Sequence, residues 1–391
     1  MSQPTPQQIQ KALEKNLGNK AEAARDLGIP RSTLWSILKR QNKVAVQKID
    51  EPQVIRDLRK AESRIESLQR GLSAETQRRK VAESDLADIA SHHQILAELD
   101  EREVVGCKIE ELKFTANTGC TALICATDWH LEKNIEPSTV SGLNEFNLQI
   151  AERRIERLWQ KSALLIDAWS QLAIVDEVIL WLGGDLVNGH LRQEDLEGNF
   201  LGPTEAILEV ERHVSSGIDF LCQKYPLRRV VTNYGNHSRT TKKCHPATGW
   251  KTNWEWLAFQ HLAGQHQNLQ WTVPKGDMNY IDVQGKVVRL QHGQNVNYWG
   301  GVGGLTIPLS KAIMSWDKSK RADLSLNGHF HQYIDCGNFV SCGCLCGYDA
   351  FAQSIKAEFQ PPTQTIVFID HCRGKVASLP VFVEASCDAK R

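Results

Sequence analysis

The 391-residue chain is defined first by what it lacks. It has no run of about 18 or more apolar residues, so no membrane-spanning helix is expected. Its opening stretch, MSQPTPQQIQKALEK, has no apolar core of the secretory kind, so the cytoplasm is the expected location. It has no net charge, because 46 basic residues balance 46 acidic ones, so overall charge names no partner. It has no GK[ST] phosphate loop and no strand–GxGxxG–helix unit, which removes the common nucleotide-binding motifs. Its 11 cysteines lack the paired spacing of a zinc ribbon or finger. Cys342, Cys344 and Cys346 in SCGCLCGYD alternate instead, and are expected as small buried residues on one face of a strand. The composition, 41% hydrophobic and 24% charged, is that of an ordinary globular protein with room for two or three domains.

Three segments are present. In residues 1–48, Ile9 to Leu17 has helical periodicity, and Asn19 to Arg40 reads as helix, tight turn, helix. Ala23, Ala24 and Leu27 give the first of those helices a close-packing face. Gly28 stops it, and Pro30 precedes the next start. Leu34, Ile37 and Leu38 form the buried stripe of the second helix, leaving Arg31, Ser32, Thr33, Ser36, Lys39 and Arg40 on its open face. Nine Lys or Arg against three acids give this segment +6, which suits phosphate contacts. The pattern resembles the Fis-type helix-turn-helix of bacterial regulators, which implies DNA as a partner. A three-helix protein-interaction module is the competing reading.

Residues 49–104 form a helical linker. Leu58, Ala61, Ile65, Leu68 and Leu72 step by 3, 4, 3 and 4, and the register resumes at Ala82, Leu86 and Ile89. Glu75 and Arg79 occupy two intervening core positions, and Gly71 weakens the helix. This is a heptad pattern, and a coiled-coil homodimer through residues 54–96 would pair two DNA-reading heads. One long amphipathic helix laid on the next domain satisfies the same pattern.

Residues 105–391 alternate strand-like apolar runs with helical stretches, which argues an α/β architecture. What ends those runs is informative. TALICAT leads to Asp128-Trp129-His130 and EVILWLG to Gly184-Asp185. LRRVVTNY leads to Gly235-Asn236-His237, KVVRLQ to His292, and ADLSLN to Gly328-His329-Phe330-His331. Strand ends on one edge of an α/β sheet line its functional crevice. Carboxylate, amide and imidazole without thiolate suit a hard or borderline divalent ion, and this many donors suit two ions.

The ordered set resembles the calcineurin-like metallophosphoesterases over about residues 120–350. That resemblance implies a four-layer α/β/β/α sandwich and two divalent ions, Mn foremost, with Fe, Zn or Ni as alternatives. It implies that Asp128, His130 and His331 hold one ion and Asn236, His292 and His329 the other, with Asp185 bridging. His237 would be the catalytic histidine that protonates the leaving oxygen or steadies the transition state. Many relatives carry an acid directly after the Asn-His pair, but here the residue is Ser238. Arg239 and His190 are candidate substrate contacts, and Tyr298 and Trp299 a candidate base-stacking pair. The expected activity is phosphodiester hydrolysis in DNA. The alternatives are hydrolysis of a small nucleotide or phosphoprotein, or a DNA-binding protein whose phosphoesterase domain is inactive. A head of this type on such an enzyme suggests bacterial or phage origin.

Overall fold

The computed structural model describes residues 4–44, 53–100, 106–110, 119–298 and 303–384. The chain divides into two compact units, Met1–Glu110 and Glu111–Arg391. No helix among the described residues is long and apolar enough to cross a membrane.

The first unit opens with three short helices, α1 (Pro6–Lys15), α2 (Lys20–Asp26) and α3 (Arg31–Val44). The Asn19 side chain caps α2 by accepting from Ala21 N at 3.1 Å. Gly28, at φ +63°, takes the left-handed turn that lets α3 start back across it. Ile9, Ala12, Ala23, Ala24 and Leu34 close the core, with the two alanines letting α2 approach closely. Arg31, Ser32, Ser36, Lys39 and Arg40 are exposed and Thr33 is half-exposed, as the apolar stripe requires. Helix α4 (Gln53–Asp100) follows, 48 residues with no buried side chain. Its heptad positions Leu58, Ile65, Leu68, Leu72, Leu86 and Ile89 are each more than half exposed.

Among its described residues the second unit has eleven strands. They are β1 (Gly119–Ala126), β2 (Ile174–Leu182), β3 (Leu227–Thr232), β4 (Gln270–Thr272), β5 (Met278–Val283) and β6 (Lys286–Gln291). β7 (Leu324–Asn327), β8 (Ile334–Asp335), β9 (Phe339–Ser341), β10 (Thr363–Asp370) and β11 (Gly374–Phe382) complete the set. One sheet has the order β11-β10-β1-β2-β3-β4 and the other β5-β6-β7-β9-β8. β1, β2, β3 and β4 run parallel, as do β6, β7 and β9. Parallel strands finish on the same edge, so the sequence-predicted ligands, which directly follow β1, β2, β3, β6 and β7, leave from the strands' carboxyl ends.

Period-two alternation sorts the strand residues into layers. Leu123 and Cys125 of β1 and Ile179 and Trp181 of β2 face inward onto Val288, Leu290, Leu324 and Leu326 of the second sheet. Ala122, Ile124, Leu180 and Val230 face outward onto helices Leu148–Trp169, Pro203–Lys224 and Trp254–Gln265. Helix Thr306–Asp317 covers the far side of the second sheet through Leu309 and Ile313. The result is the expected helix–sheet–sheet–helix stack. Each fully buried aliphatic side chain contributes about 2 kcal/mol of burial free energy to it.

One expectation is corrected. Cys342, Cys344 and Cys346 do not share a strand face, because β9 ends at Ser341. The segment instead crosses between the two sheets: Cys342 N donates to Asn327 O, Leu345 N to Asp128 O, and Thr363 N to Cys344 O. Cys342 therefore packs in the inter-sheet core, whereas Cys344 and Cys346 pack on the opposite side of the first sheet.

Candidate metal centre

The backbone at the strand ends is unusual. Nine non-glycine residues among those described have positive φ, and five of them are Asp128, Asp185, His130, His329 and His331. The left-handed region is costly for a side chain with a Cβ, and such outliers gather where the surroundings force them. The forcing contacts are visible here. A Cβ added to Gly235 would collide with Asp185 Oδ1, and one added to Gly184 with the backbone of Gly235. The turns after β2 and β3 can touch only because both positions are glycine.

Three overlapping groups of potential ligand atoms result, each with its atoms within 4.8 Å of one another. They are Asp128–His130–Asp185, Asp185–His292–His329 and His130–His331–Cys346. Asp185 belongs to two of them, as a carboxylate between two cations would. His130 Nε2 faces His331 Nε2 at 3.1 Å, and His292 Nε2 lies 2.8 Å from Asp185 Oδ2. The opposite ring nitrogens are spoken for. His292 Nδ1 donates to Gly183 O at 2.8 Å, and His130 Nδ1 to Asn188 Oδ1 at 3.1 Å. A bond of this kind on Nδ1 fixes the ring and leaves Nε2 as the ligand atom. Asn236 is buried, and its Oδ1 has no hydrogen-bond partner among the described residues. An orphaned amide oxygen beside these groups is what a cation would satisfy. The residues present therefore fit the binding of divalent cations.

The buried acids and imidazoles shift one another strongly. Burial lowers the His292 pKa, but the Asp185 charge and hydrogen bond outweigh it and raise it to about 10. For His331 burial is likewise outweighed by Asp128, giving about 9. Burial and the His292 charge push His329 down to about 3. Burial would raise Asp185, yet the His292 and His237 charges hold it well below the usual carboxylate range.

His237 sits at the rim, its ring 4.8 Å from that of His130. Its backbone N donates to Asp185 Oδ1 at 2.7 Å, and its Nδ1 donates to Asn188 O at 2.6 Å. Burial lowers its pKa.

Two buried acids escape sequence reasoning. Glu255, in helix Trp254–Gln265, accepts from Asp185 N (3.2 Å), Leu186 N (2.6 Å), Val187 N (3.3 Å), Gly235 N (2.8 Å) and Ser238 Oγ (3.0 Å). One carboxylate thus ties the turn of Asp185 to that of Asn236 and His237. Glu132 accepts from Asn188 N at 2.8 Å and Gly189 N at 2.9 Å, bracing the carbonyl that holds His237. Burial raises both acids to about 7. Glu132 lies two residues beyond His130 and can be sought there, but Glu255 reads as one more helix acid. Ser238, the departure noted in the sequence, is with Gly235 N a contact through which Glu255 reaches the Asn-His turn.

The substrate candidates differ. His190 is half-buried, with an Nδ1 that has no partner among the described residues. The Arg239 guanidinium is engaged with the Asn236 and Thr241 carbonyls, within its own turn. Tyr298 packs against Phe330, and Trp299 lies outside the described residues.

Residues 7–40 match the family model of bacterial regulatory proteins of the Fis family. No curated protein matches the chain. Solved structures similar to it include a Zn-complexed Vps29 from Entamoeba histolytica, 13% identical, covering 67% of this chain and 99% of that one at TM-score 0.26. A predicted phosphoesterase from Streptococcus pneumoniae TIGR4 is 10% identical, with coverages of 67% and 98% and TM-score 0.25. A hypothetical protein from Pyrococcus horikoshii OT3 is 12% identical, with coverages of 68% and 90% and TM-score 0.33.

Proposed function

We propose that the second unit is a dinuclear-metal phosphodiesterase and that the first brings it to DNA, making the protein a nuclease. The observation that carries this is the sharing of Asp185 between two ligand groups built from four strand ends. Asp128, His130 and His331 would hold one ion, Asn236, His292 and His329 the other, and Asp185 both. When bound, the ions supply Lewis-acid neutralisation of the phosphoryl oxygens and lower the pKa of water.

The chain's own residues do the rest. Nδ1 of His237 is committed to Asn188 O, so its Nε2 is left for substrate. Its lowered pKa keeps it neutral at rest, and the approach of an anionic diester favours its protonation. That proton then passes to the leaving oxygen, which lowers the barrier to departure. The positive head supplies sequence-independent attraction to the phosphate backbone, and the open face of α3 supplies groups that reach base edges.

The test pairs Mn²⁺ with EDTA on plasmid, single-stranded DNA and bis-p-nitrophenyl phosphate. Metal-dependent cleavage of both DNA and the small diester is expected. Diester cleavage without DNA cleavage would point to a small phosphoester substrate. DNA binding with no cleavage at all would remove the enzymatic reading. Asp185→Asn is expected to abolish metal occupancy and activity together, and an active variant would refute the bridging role.

A further inference from the structure

The ligand set carried by the strand ends contains no sulfur, yet the structure places one beside it. Cys346 Sγ lies within 4.8 Å of the ligand nitrogens of both His130 and His331. Its position is built. Cys346 O accepts from Arg154 Nη1 and from Asn144 Nδ2, each at 2.9 Å. Leu345 N, one residue earlier, donates to the carbonyl of Asp128 itself at 3.0 Å. Arg154 is buried and pairs with Glu384, so the anchor is fixed in turn. The thiol makes weak contacts, 3.6 Å to Gly347 O and a hydrogen bond shared with the Cys344 thiol. The opposing imidazole nitrogens at 3.1 Å, with Asp128 Oδ1 3.5 Å from His331 Nε2, complete the surroundings.

We propose that Cys346 is a thiolate ligand to the ion held by Asp128, His130 and His331, making that position selective for a borderline or soft cation. This rests on the dinuclear reading above. Thiolate and imidazole donors together favour Zn²⁺, Fe²⁺ or Co²⁺, whereas all-oxygen surroundings favour Mn²⁺ or Mg²⁺. Two chemically distinct positions follow: one with sulfur, and one with the Asn236 oxygen in its place. The thiol must lose its proton to bind, so loading of the sulfur position releases a proton.

Cobalt distinguishes the outcomes, because its visible ligand-field bands report binding and its near-ultraviolet thiolate charge-transfer band reports sulfur. The full-length metal-free protein is titrated with Co²⁺, alongside Cys346→Ser, Cys344→Ser and Asp185→Asn. The expected result is a charge-transfer band in the wild type and in Cys344→Ser, absent in Cys346→Ser. Co²⁺ affinity in Cys346→Ser is expected to fall about tenfold with Mn²⁺ affinity unchanged. Should Cys346→Ser fail to fold, Cys346→Ala read by circular dichroism and Co²⁺ titration takes its place. Ligand-field bands without charge transfer in the wild type would overturn the cysteine assignment and leave the dinuclear reading standing. No cobalt spectrum of either kind would overturn both.

Discussion

At the scale of the residue, the centre depends on acids that touch no phosphate and, in our reading, no metal. Glu255 gathers four backbone N–H groups and one hydroxyl from two separate turns. Glu255→Gln replaces one acceptor with an amide N–H₂, which then meets donors only. Its metal affinity is expected to fall about 10–100-fold, as for residues that orient ligands. Calorimetric titration with Mn²⁺ checks this, and unchanged affinity would reduce Glu255 to a packing residue. Glu255→Asp is expected to recover part of the loss. The contrast with the ligands explains what was legible in the sequence. Asp128, Asp185, Asn236 and His292 each follow an apolar run, so chain direction alone puts them at a strand's end. Glu255 is brought in by tertiary packing of a helix, and nothing in TNWEW marks it apart from a surface acid. Ser238 looked like a missing acid for the same reason, since its partner is 17 residues away.

At the scale of the element, the strands and long helices were readable because their period and their breakers agree. The segment after β9 was not. Alternating cysteines imitate a strand, but its hydrogen bonds go to Asn327, Asp128 and Thr363 rather than to one ladder. A second element-scale result concerns Asp349, which caps helix Ala350–Ser354 through Ala352 N and pairs with Lys133. Burial would raise its pKa, but the Lys133 charge prevails and lowers it from 3.8. A depressed carboxylate stabilises the fold above its unfolded value, and that stability is lost as pH falls through the lower folded value. Asp349→Asn is therefore expected to lose stability at neutral pH, by about 3 kcal/mol with Lys133 left unpaired. It should lose little below the folded pKa, and urea midpoints across pH check the sign. Helix α4 carries a third. Paired with a second copy, its exposed heptad leucines and isoleucines would be covered, and light scattering should then give a dimer mass. Ile65→Asp with Leu68→Asp should return a monomer; equal masses would leave α4 a single helix.

At the scale of the whole molecule, neutrality conceals segregation. Residues 1–48 carry +6, so the remainder carries −6, because 37 basic residues there face 43 acids. Of that −6, −4 lies in residues 49–104 and −2 in residues 105–391, so the last segment has no net positive charge to draw a polyanion and the head supplies it. Deleting residues 1–48 should leave hydrolysis of the small diester unchanged while weakening DNA binding and flattening its salt dependence. Electrophoretic shifts across a salt series check this, and equal loss of both activities would deny that the head is separable. The basic head and the ordered donors were legible from charge and motif; the contact between the β2 and β3 turns was not, because it is made only in the folded state. The five left-handed acids and histidines of the cluster carry an energetic cost. At about 1 kcal/mol each, five such residues cost about 5 kcal/mol, as much as the entire net stability of many domains. His329→Gly should relieve one of these costs and melt higher than the metal-free parent while binding less metal.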